Sequence, residues 1–266
     1  MTHLMDSMAN ERLSEFANGN SVAVFDFDGT LAPIVTNRDL ARMRKRTHAL
    51  LTRLCALYPC GVVSGRGLTD VLQHLEGVPI PIVFGSHGLE PGPNLEQHEQ
   101  LMTAVRTALS ARFGHLSGVE VEDKRYSLAV HYRRARRRVM AHEYIVGFLD
   151  QLQAPIRVVE GLCVVNIVPK GAPNKADAVR AIQNHFNAAQ VLYVGDDVTD
   201  EDVFRYSTKP AWLGVRVESS LTTAADFFLC RQREIDWLLA RLIRLRQTKR
   251  RTLVPRSRHS RALARH

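Results

Sequence analysis

Two aspartates separated by one residue follow an apolar segment near the start of the chain. Asp26 and Asp28 belong to the motif DFDGT, in which Gly29 permits a sharp turn and Thr30 supplies a hydroxyl. Carboxylates are costly to bury without partners, so the pair predicts a bound hard divalent cation, Mg²⁺ in particular. An ion at this place would also attract a phosphate. Asp26 is then a candidate nucleophile toward phosphorus, and Asp28 is a candidate acid and base for the leaving oxygen and the attacking water.

A second acidic cluster, GDDVTDED, follows another apolar segment late in the chain. We predict that Asp196 is a metal ligand and that it joins Asp26 and Asp28 around one ion. Asp197 and Asp200 either contact the same ion or support the residues that do. The acidic residues that come next are better explained by the preference of a helix N-terminus for negative charge.

Two further segments carry groups that bind phosphate. Ser64 and Gly65 stand in the tripeptide SGR, where a hydroxyl and backbone amides at a helix start can hold a phosphate oxygen. Lys175 opens a segment with helical spacing, although a cation is unfavourable at the positive end of a helix. A phosphate or the aspartates nearby would explain its position. The alternatives, a plain N-cap for Ser64 and a solvated lysine, fit less well beside the acidic motifs.

Short apolar segments alternate with helical segments in the first and last thirds of the chain. The predicted strands are residues 21–27, 61–63, 81–84, 190–194 and 211–217. This alternation is typical of a parallel α/β sheet, in which ligands bind beyond the carboxyl ends of the strands. The motifs DFDGT, SGR, GSHG and GDD all fall at such ends, so we expect them to meet in one crevice. His87 of GSHG either orients its loop or contacts the substrate.

The middle of the chain has a different pattern, in which one helix and two strand candidates occur twice. The predicted elements are a helix at 95–112, strands at 119–123 and 127–132, a helix at 139–152 and strands at 156–159 and 163–168. We predict an inserted α+β cap with the order αββαββ, joined to the core near two Pro- and Gly-rich segments. The predicted division of the chain is an N-terminal extension at 1–20, a Rossmann-like core at 21–92 and 171–246, a cap at 93–170 and a basic tail at 247–266.

Three polar residues of the cap are placed where they could reach into the crevice. Glu122, Lys124 and Arg133 belong to the predicted hairpin and are candidates for hydrogen bonds to sugar hydroxyls. Strand alternation directs residues 128, 130 and 132 to one face of the hairpin and residues 127, 129 and 131 to the other. The arginines that follow are better explained as a solvated turn, although they could also steer an anionic substrate.

Together these motifs resemble those of the haloacid dehalogenase superfamily of phosphatases. The order DFDGTLAPI, SGR, GSHG, KxxSxxxHYR, a helix led by lysine and GDDVTDE is similar to that of the trehalose-6-phosphate phosphatase family, over roughly residues 20–240. The resemblance implies a Rossmann-like core with an αββαββ cap, Mg²⁺ as cofactor, and hydrolysis of trehalose 6-phosphate to trehalose and phosphate. It also implies a role in trehalose biosynthesis, next to trehalose-phosphate synthase in the pathway.

The resemblance assigns roles to the residues of the core motifs. By position it implies that Asp26 is the nucleophile, which forms an aspartyl-phosphate, and that Asp28 is the acid and base. It implies that Asp196 is a metal ligand. It also implies that Ser64 and Lys175 hold the phosphate.

The resemblance is less complete in the cap. Glu122, Lys124 and Arg133 match positions that contact the disaccharide in the family. Leu162 and Asn166 stand where members of the family often carry lysine and glutamate. If those two residues bind the second glucose, part of the sugar recognition is missing here, at ~1–3 kcal/mol for each buried polar group. Hydrolysis of another sugar phosphate or phosphorylated glycoside is therefore the alternative function.

The formal net charge of +9 over 266 residues comes from the C-terminus. Residues 241–266 carry ten Lys and Arg and no acidic residue, so the first 240 residues have a net charge of −1. The tail from 247 lacks apolar periodicity and is predicted to be disordered. A function of a different class, weak binding of nucleic acid or an anionic surface through this tail, stays open, although the tail has no aromatic residue for base stacking.

Nothing in the composition indicates a membrane or secretion. The four cysteines form no CxxC pair, and no apolar run approaches the ~18 residues of a membrane span. The first twenty residues lack the apolar centre of a signal peptide. We therefore expect a cytoplasmic protein whose main partner is a small sugar phosphate.

Overall fold

Short apolar segments separated by helices build two sheets in the computed structural model, which describes residues 2–161, 163–206 and 211–253. The strands, numbered along the chain, are β1 Thr2–His3, β2 Ser21–Phe25, β3 Cys60–Val63, β4 Ile82–Phe84, β5 Glu120–Asp123, β6 Leu128–His131, β7 Ile156–Gly161, β8 Val164–Pro169, β9 Gln190–Gly195, β10 Trp212–Val217 and β11 Phe227–Leu229. The α-helices are α1 Ser7–Asn18, α2 Lys45–Cys55, α3 Leu68–His74, α4 Leu95–Phe113, α5 Arg138–Gln151, α6 Lys175–His185, α7 Glu201–Phe204 and α8 Ile235–Leu253.

The larger sheet has seven strands in the order β1-β11-β10-β9-β2-β3-β4, and its neighbouring strands pair in parallel. Successive side chains of a strand point to opposite faces, so both apolar faces of this sheet need a cover. In β2, Ala23 and Phe25 pack into the layer formed with α1, α2 and α8. Val22 and Val24 pack into the opposite layer, formed with α6 and α7. The predicted parallel α/β core is confirmed.

The smaller sheet comes from the middle of the chain, between β4 and α6. Its four strands pair antiparallel in the order β5-β6-β8-β7, and with α4 and α5 they follow the predicted order αββαββ. Leu128, Val130 and Tyr132 pack into the cap interior, as strand alternation predicts. The opposite face of the sheet, which carries Asn166, lies against the core.

The N-terminal residues differ from the prediction of an extension outside the core. β1 pairs with β11 at the edge of the larger sheet, and α1 buries Leu13 and Phe16 in the same apolar layer as α8. The buried face of α1 consists of residues 9, 13, 16 and 17, a helical spacing that the surrounding polar residues obscure in the sequence. Residues 2–18 therefore pack as part of the core.

The C-terminal helix extends further than predicted. α8 is anchored in the core by Leu238, Leu239 and Leu242, and it continues to Leu253, past the predicted start of the tail at 247. Lysine, arginine and leucine are good helix formers, which explains the continuation. The rest of the tail, residues 254–266, lies outside the described residues, as does Leu162. Within the described chain, no helix is both long and apolar enough to cross a membrane.

Candidate active site

The loops that follow β2, β3, β4 and β9 converge beneath the cap, where the parallel strands end. Together with the cap they enclose a cavity of about 390 Å³. The residues that line it are Asp26, Asp28, Ile34, Val35, Gly65, His87, Lys124, Arg133, Val164, Lys175, Asp196 and Asp197. The structure therefore brings most of the predicted site residues to one place.

The ammonium group of Lys175 joins two carboxylates at the floor of the cavity. Its Nζ lies 3.2 Å from Oδ1 of Asp26 and 2.7 Å from Oδ1 of Asp200, and 2% of the lysine side chain is exposed. Burial opposes the charge, but the two carboxylates raise the pKa of Lys175, so the side chain stays a cation. Asn174 and Asp177 form a capping box that sets the start of α6 at this lysine.

Asp200 is a fully buried carboxylate that organises the second acidic loop. Its Oδ1 accepts hydrogen bonds from Lys175 and, at 2.6 Å, from the hydroxyl of Tyr193. Its Oδ2 accepts from the backbone N–H groups of Asp196 and Asp197, both at 2.8 Å. Four donors leave this carboxylate little capacity for a further partner. We infer that Asp200 orients Lys175 and the acidic loop.

Asp196 faces the DFDGT loop across a narrow gap. The hydroxyl of Thr30 donates a hydrogen bond of 3.2 Å to Oδ1 of Asp196. Gly29 has a φ of 77°, and a Cβ there would lie 2.0 Å from Oδ2 of Asp196, so this close approach requires glycine. Burial and the neighbouring carboxylates raise the pKa of Asp196 to about 9. Burial also raises the pKa of Asp26, to about 7, although Lys175 lowers it.

These carboxylates fit a divalent cation. Asp26, Asp196 and Asp200 each offer one oxygen, and the three atoms lie within 4.8 Å of one another. Burial and the single ammonium of Lys175 leave the ionised forms of Asp26 and Asp196 unfavourable, in line with their raised pKa values, and a divalent cation would favour those ionised forms. Because the oxygens of Asp200 are already bonded, Asp26 and Asp196 are the side chains best placed to hold the ion.

Asp28, the third predicted metal ligand, is paired with an arginine. Its two oxygens accept hydrogen bonds from Nε and Nη2 of Arg66, each at 2.7 Å. A planar guanidinium binds both oxygens of a carboxylate at once, and this pair occupies both oxygens of Asp28. Among the described residues, the cluster of possible ligands contains Asp26 and Asp196 but not Asp28. Asp28 lines the same cavity as these two, and its role as a metal ligand stays a prediction.

Arg66 belongs to the SGR motif, in which the sequence predicts a role only for Ser64 and Gly65. Its side chain is 1% exposed, and it also bonds Asp70 one helical turn later, at 2.9 Å. The guanidinium lies 5.6 Å from the centroid of the ring of Phe27. Phe27 is the residue between the two aspartates of the DFDGT motif. The sequence does contain a signal for this pair. Arg66 follows the end of β3, and the neighbouring strand β2 ends at the aspartates of DFDGT.

The SGR loop presents Gly65 rather than Ser64 to the cavity. Ser64 is fully buried, and its Oγ accepts a hydrogen bond of 3.1 Å from the N–H of Arg66. α3 begins at Leu68, so Ser64 lies before the helix rather than at its cap. A Cβ on Gly65 would lie 2.6 Å from Cε1 of His87, so the absent side chain makes room for the imidazole. The phosphate contact of Ser64 stays a prediction.

The cap contributes two cations to the cavity, Lys124 and Arg133. Glu122, the third predicted cap residue, has a partner inside the cap, because its Oε2 lies 2.8 Å from Nε2 of His131. The side chain of Glu122 is therefore not among the groups that line the cavity. Its contact with a sugar stays a prediction.

Arg157, a further basic residue, lies on the cap face above the core, beside Asn166. Asn166 lies in one cross-strand row with Glu122, through Ala129 of β6. It lines a small second pocket beside His87 and Lys175, and Arg157 of β7 lines the same pocket. Strand alternation places Arg157 on the face of β7 that meets the core, which sequence reasoning did not use.

Three comparisons place this arrangement among known proteins. The model of the trehalose-phosphatase family matches residues 24–229. The trehalose-phosphate phosphatase of Mycobacterium avium (strain 104) is 36% identical over 226 residues, which cover 77% of this chain and 56% of that protein. The C-terminal domain of C. albicans trehalose-6-phosphate phosphatase has a TM-score of 0.75 at 21% identity, over 92% of this chain and 99% of that one. A haloalkanoate (HAD) superfamily phosphatase from Bacteroides thetaiotaomicron has a TM-score of 0.55 at 14% identity, over 85% of this chain and 94% of that one.

A parallel α/β core with acidic strand ends beneath an inserted cap is a fold that this chain shares with the haloalkanoate (HAD) superfamily phosphatase. The family model covers most of this sequence, and the chain belongs to the trehalose-phosphatase family. The family implies a divalent metal ion, in agreement with the acidic cluster. The chain spans about half the length of the curated relatives it matches.

Proposed function

We propose that the protein is a Mg²⁺-dependent phosphatase that hydrolyses trehalose 6-phosphate to trehalose and phosphate, as a step of trehalose biosynthesis. The position of Asp26 is the observation that best supports a phosphatase activity. Its carboxylate lies at the floor of the cavity beside the buried cation Lys175, while Lys124 and Arg133 line the same cavity from the cap. A carboxylate in a cavity that three cations also line suits a phosphate group that is to be attacked.

The proposed reaction has two steps. In the first, an oxygen of Asp26 attacks phosphorus, the bond from phosphorus to the sugar oxygen breaks, and Asp28 gives its proton to that oxygen. In the second, water attacks the phosphorus of the aspartyl-phosphate, Asp28 takes the proton, and phosphate and the carboxylate of Asp26 are released. Since Arg66 bonds both oxygens of Asp28, this pair must separate before Asp28 contacts the sugar oxygen.

The proposed cofactor is Mg²⁺, because the candidate ligands are hard carboxylate oxygens. Asp26 and Asp196 would hold it, and Asp200 would orient the loop of Asp196. When bound, the ion supplies positive charge that balances the carboxylates and the phosphate.

Metal removal is expected to stop phosphate release. EDTA should abolish turnover, and excess Mg²⁺ should restore it, whereas Na⁺ at equal ionic strength should not. A binding measurement separates the site from the chemistry: Mg²⁺ should raise the Tm of the parent protein but not that of Asp196→Asn. Full turnover in EDTA, or an equal Tm rise in Asp196→Asn, would contradict a metal site at this cluster.

The substrate is tested by phosphate release from trehalose 6-phosphate, glucose 6-phosphate and other phosphorylated sugars. We expect kcat/KM for trehalose 6-phosphate to exceed that for glucose 6-phosphate by about 100-fold, since hydrogen bonds from the cap to the second sugar contribute ~1–3 kcal/mol each. Lys124→Met should reduce this ratio, and Arg136→Met, an exposed cap control, should not. Comparable kcat/KM for the two compounds would refute the preference for the disaccharide.

A second candidate is hydrolysis of another phosphorylated glycoside on the same scaffold. The observation that favours it is Asn166, a neutral side chain on the cap face above the core, where the family often carries glutamate. A higher kcat/KM for another phosphorylated sugar in the same panel would select this candidate. The chemistry at Asp26 would be the same.

A further inference from the structure

A separate cavity, of about 440 Å³, lies away from the catalytic cavity, between the start of α2 and the start of α8, and is lined by basic side chains. Its guanidinium groups belong to Arg44, Arg46, Arg233, Arg241 and Arg244. From the structure we infer that this cavity, which we call the arginine cavity, binds a compact anion with at least two phosphate groups, such as inorganic pyrophosphate or the diphosphate of a nucleotide. None of its residues lines the catalytic cavity.

The arginines meet because two elements present them to the same space. Trp237, Arg241 and Arg244 follow one another at spacings of four and three along α8, so they share one face of that helix. Arg233 precedes the helix in the turn Gln232–Glu234. Arg44 and Arg46 come from the start of α2, which packs beside α8. The cavity is therefore a product of the fold and not of one basic segment.

The positive charge of the arginine cavity is only partly balanced. Its two acidic residues, Glu234 and Asp236, leave an excess of three positive charges among the lining residues. Asp236 already accepts a hydrogen bond of 2.6 Å from Thr47 and pairs with Arg44 at 3.3 Å. Within the described part of the chain, Arg233, Arg241 and Arg244 have no carboxylate partner. An anion bound in the cavity would balance this excess of positive charge.

The five arginines differ in burial, since Arg46, Arg233 and Arg244 are exposed, whereas Arg44 and Arg241 are half-buried. The Nε atoms of Arg44 and Arg241 are buried and make no hydrogen bond within the described residues, so two donors lack acceptors. α2 begins at Lys45 without a side-chain cap, and its first turn has no acidic residue. The carboxylate of Asp236 lies beside this helix start, where it bonds Thr47 and pairs with Arg44 and Arg46, so the anion that we infer would share the site with Asp236.

The size and the charge of the cavity select the class of ligand. A concave space with an excess of three charges matches a diphosphate better than a monovalent anion, and guanidinium groups pair with phosphate oxygens through two hydrogen bonds at once. A nucleic acid would instead need basic groups spread along a groove and aromatic groups for its bases. We therefore infer a small anion. Tighter binding of a nucleic acid is one of the results that the experiment below can detect.

Calorimetric titration of the full chain with pyrophosphate, in EDTA and at low salt, tests the inference. We expect saturable binding that weakens by about 10-fold or more in the double variant Arg241→Gln, Arg244→Gln, since charge-assisted hydrogen bonds are lost. Added NaCl should weaken the binding by the parent protein. The fluorescence of Trp237, which lines the cavity, should change over the same concentrations in the parent.

The matched control is the double variant Arg53→Gln, Arg136→Gln, which removes the same charge at exposed positions outside the cavity. It should bind pyrophosphate as the parent does. ADP should bind like pyrophosphate and adenosine should not, if the phosphates are recognised. Absence of saturable binding, equal weakening in both double variants, equal binding of adenosine, or tighter binding of an oligonucleotide than of pyrophosphate would each overturn the inference. An unchanged Tm shows that either variant is folded.

Discussion

Asp26→Asn is expected to lower phosphate release by roughly 10⁴-fold or more, which is the scale of losing a hydrolase nucleophile. Asparagine has nearly the shape of aspartate but lacks the nucleophilic carboxylate. The fold should survive, because Asp26 lies in a loop beyond β2 and the apolar layers do not include it. Rates are compared under saturating trehalose 6-phosphate and Mg²⁺, and folding is checked by Tm. Asp150→Asn, on the exposed end of α5, is the matched control and should keep full activity.

A trapping experiment separates a nucleophilic from a merely electrostatic role of Asp26. Asp28→Asn removes the residue that is proposed both to protonate the leaving oxygen and to activate water. With 4-nitrophenyl phosphate, whose leaving group needs no proton, the aspartyl-phosphate should therefore form, break down slowly and accumulate. After acid quenching, substrate with a labelled phosphate should leave the label on Asp28→Asn and not on Asp26→Asn. Label on neither variant or on both, together with residual turnover in Asp26→Asn near that of the parent, would refute covalent catalysis at Asp26.

The convergence of Asp26, Lys175 and Asp196 could be predicted because it follows from topology. Each residue stands at the end of a short apolar strand or at the start of the next helix, and parallel strands end at one edge of a sheet. β1 and β11 were missed for the opposite reason. They have two and three residues and lie toward one edge of the sheet, and no motif marks their ends as GSHG marks the end of the equally short β4.

The partners of individual polar side chains could not be predicted in the same way. The pair of Asp28 with Arg66 depends on where α3 begins and on how Asp70 holds the other side of the guanidinium. The contact of Glu122 with His131 depends on the register of β5 against β6, which places the two residues close together. Spacing in a sequence gives the element and its face, but it does not choose among nearby donors.

Asp200 combines a position that could be predicted with partners that could not. The sequence placed it in the acidic loop but left open whether it binds metal or supports the site. One of its four hydrogen bonds comes from the hydroxyl of Tyr193, which the sheet buries beneath the loop. The acidic loop, α6 and β9 therefore share one buried carboxylate, and Lys175 is the cation that links it to Asp26.

Lys175→Met is accordingly expected to damage both catalysis and stability. Methionine fills similar space without charge, so Asp26 and Asp200 lose the cation between them. Breaking a buried ion pair by removing one partner costs about 3–5 kcal/mol. For a chain of this size we expect Tm to fall by roughly 10 °C. Turnover should fall by about 10²–10⁴-fold, since the nucleophile loses the charge that keeps it ionised and the phosphate loses a contact.

The control for this variant is Lys170→Met, which removes an exposed lysine from the same joint between cap and core. It should leave kcat, KM and Tm close to those of the parent. Lys175→Arg keeps the charge and should recover more of the Tm than of kcat, because a guanidinium has a different shape from the ammonium that reaches both carboxylates. If Lys175→Met keeps the Tm of the parent and more than about a tenth of its turnover, the buried ammonium neither holds the acidic cluster together nor assists the transfer of the phosphoryl group.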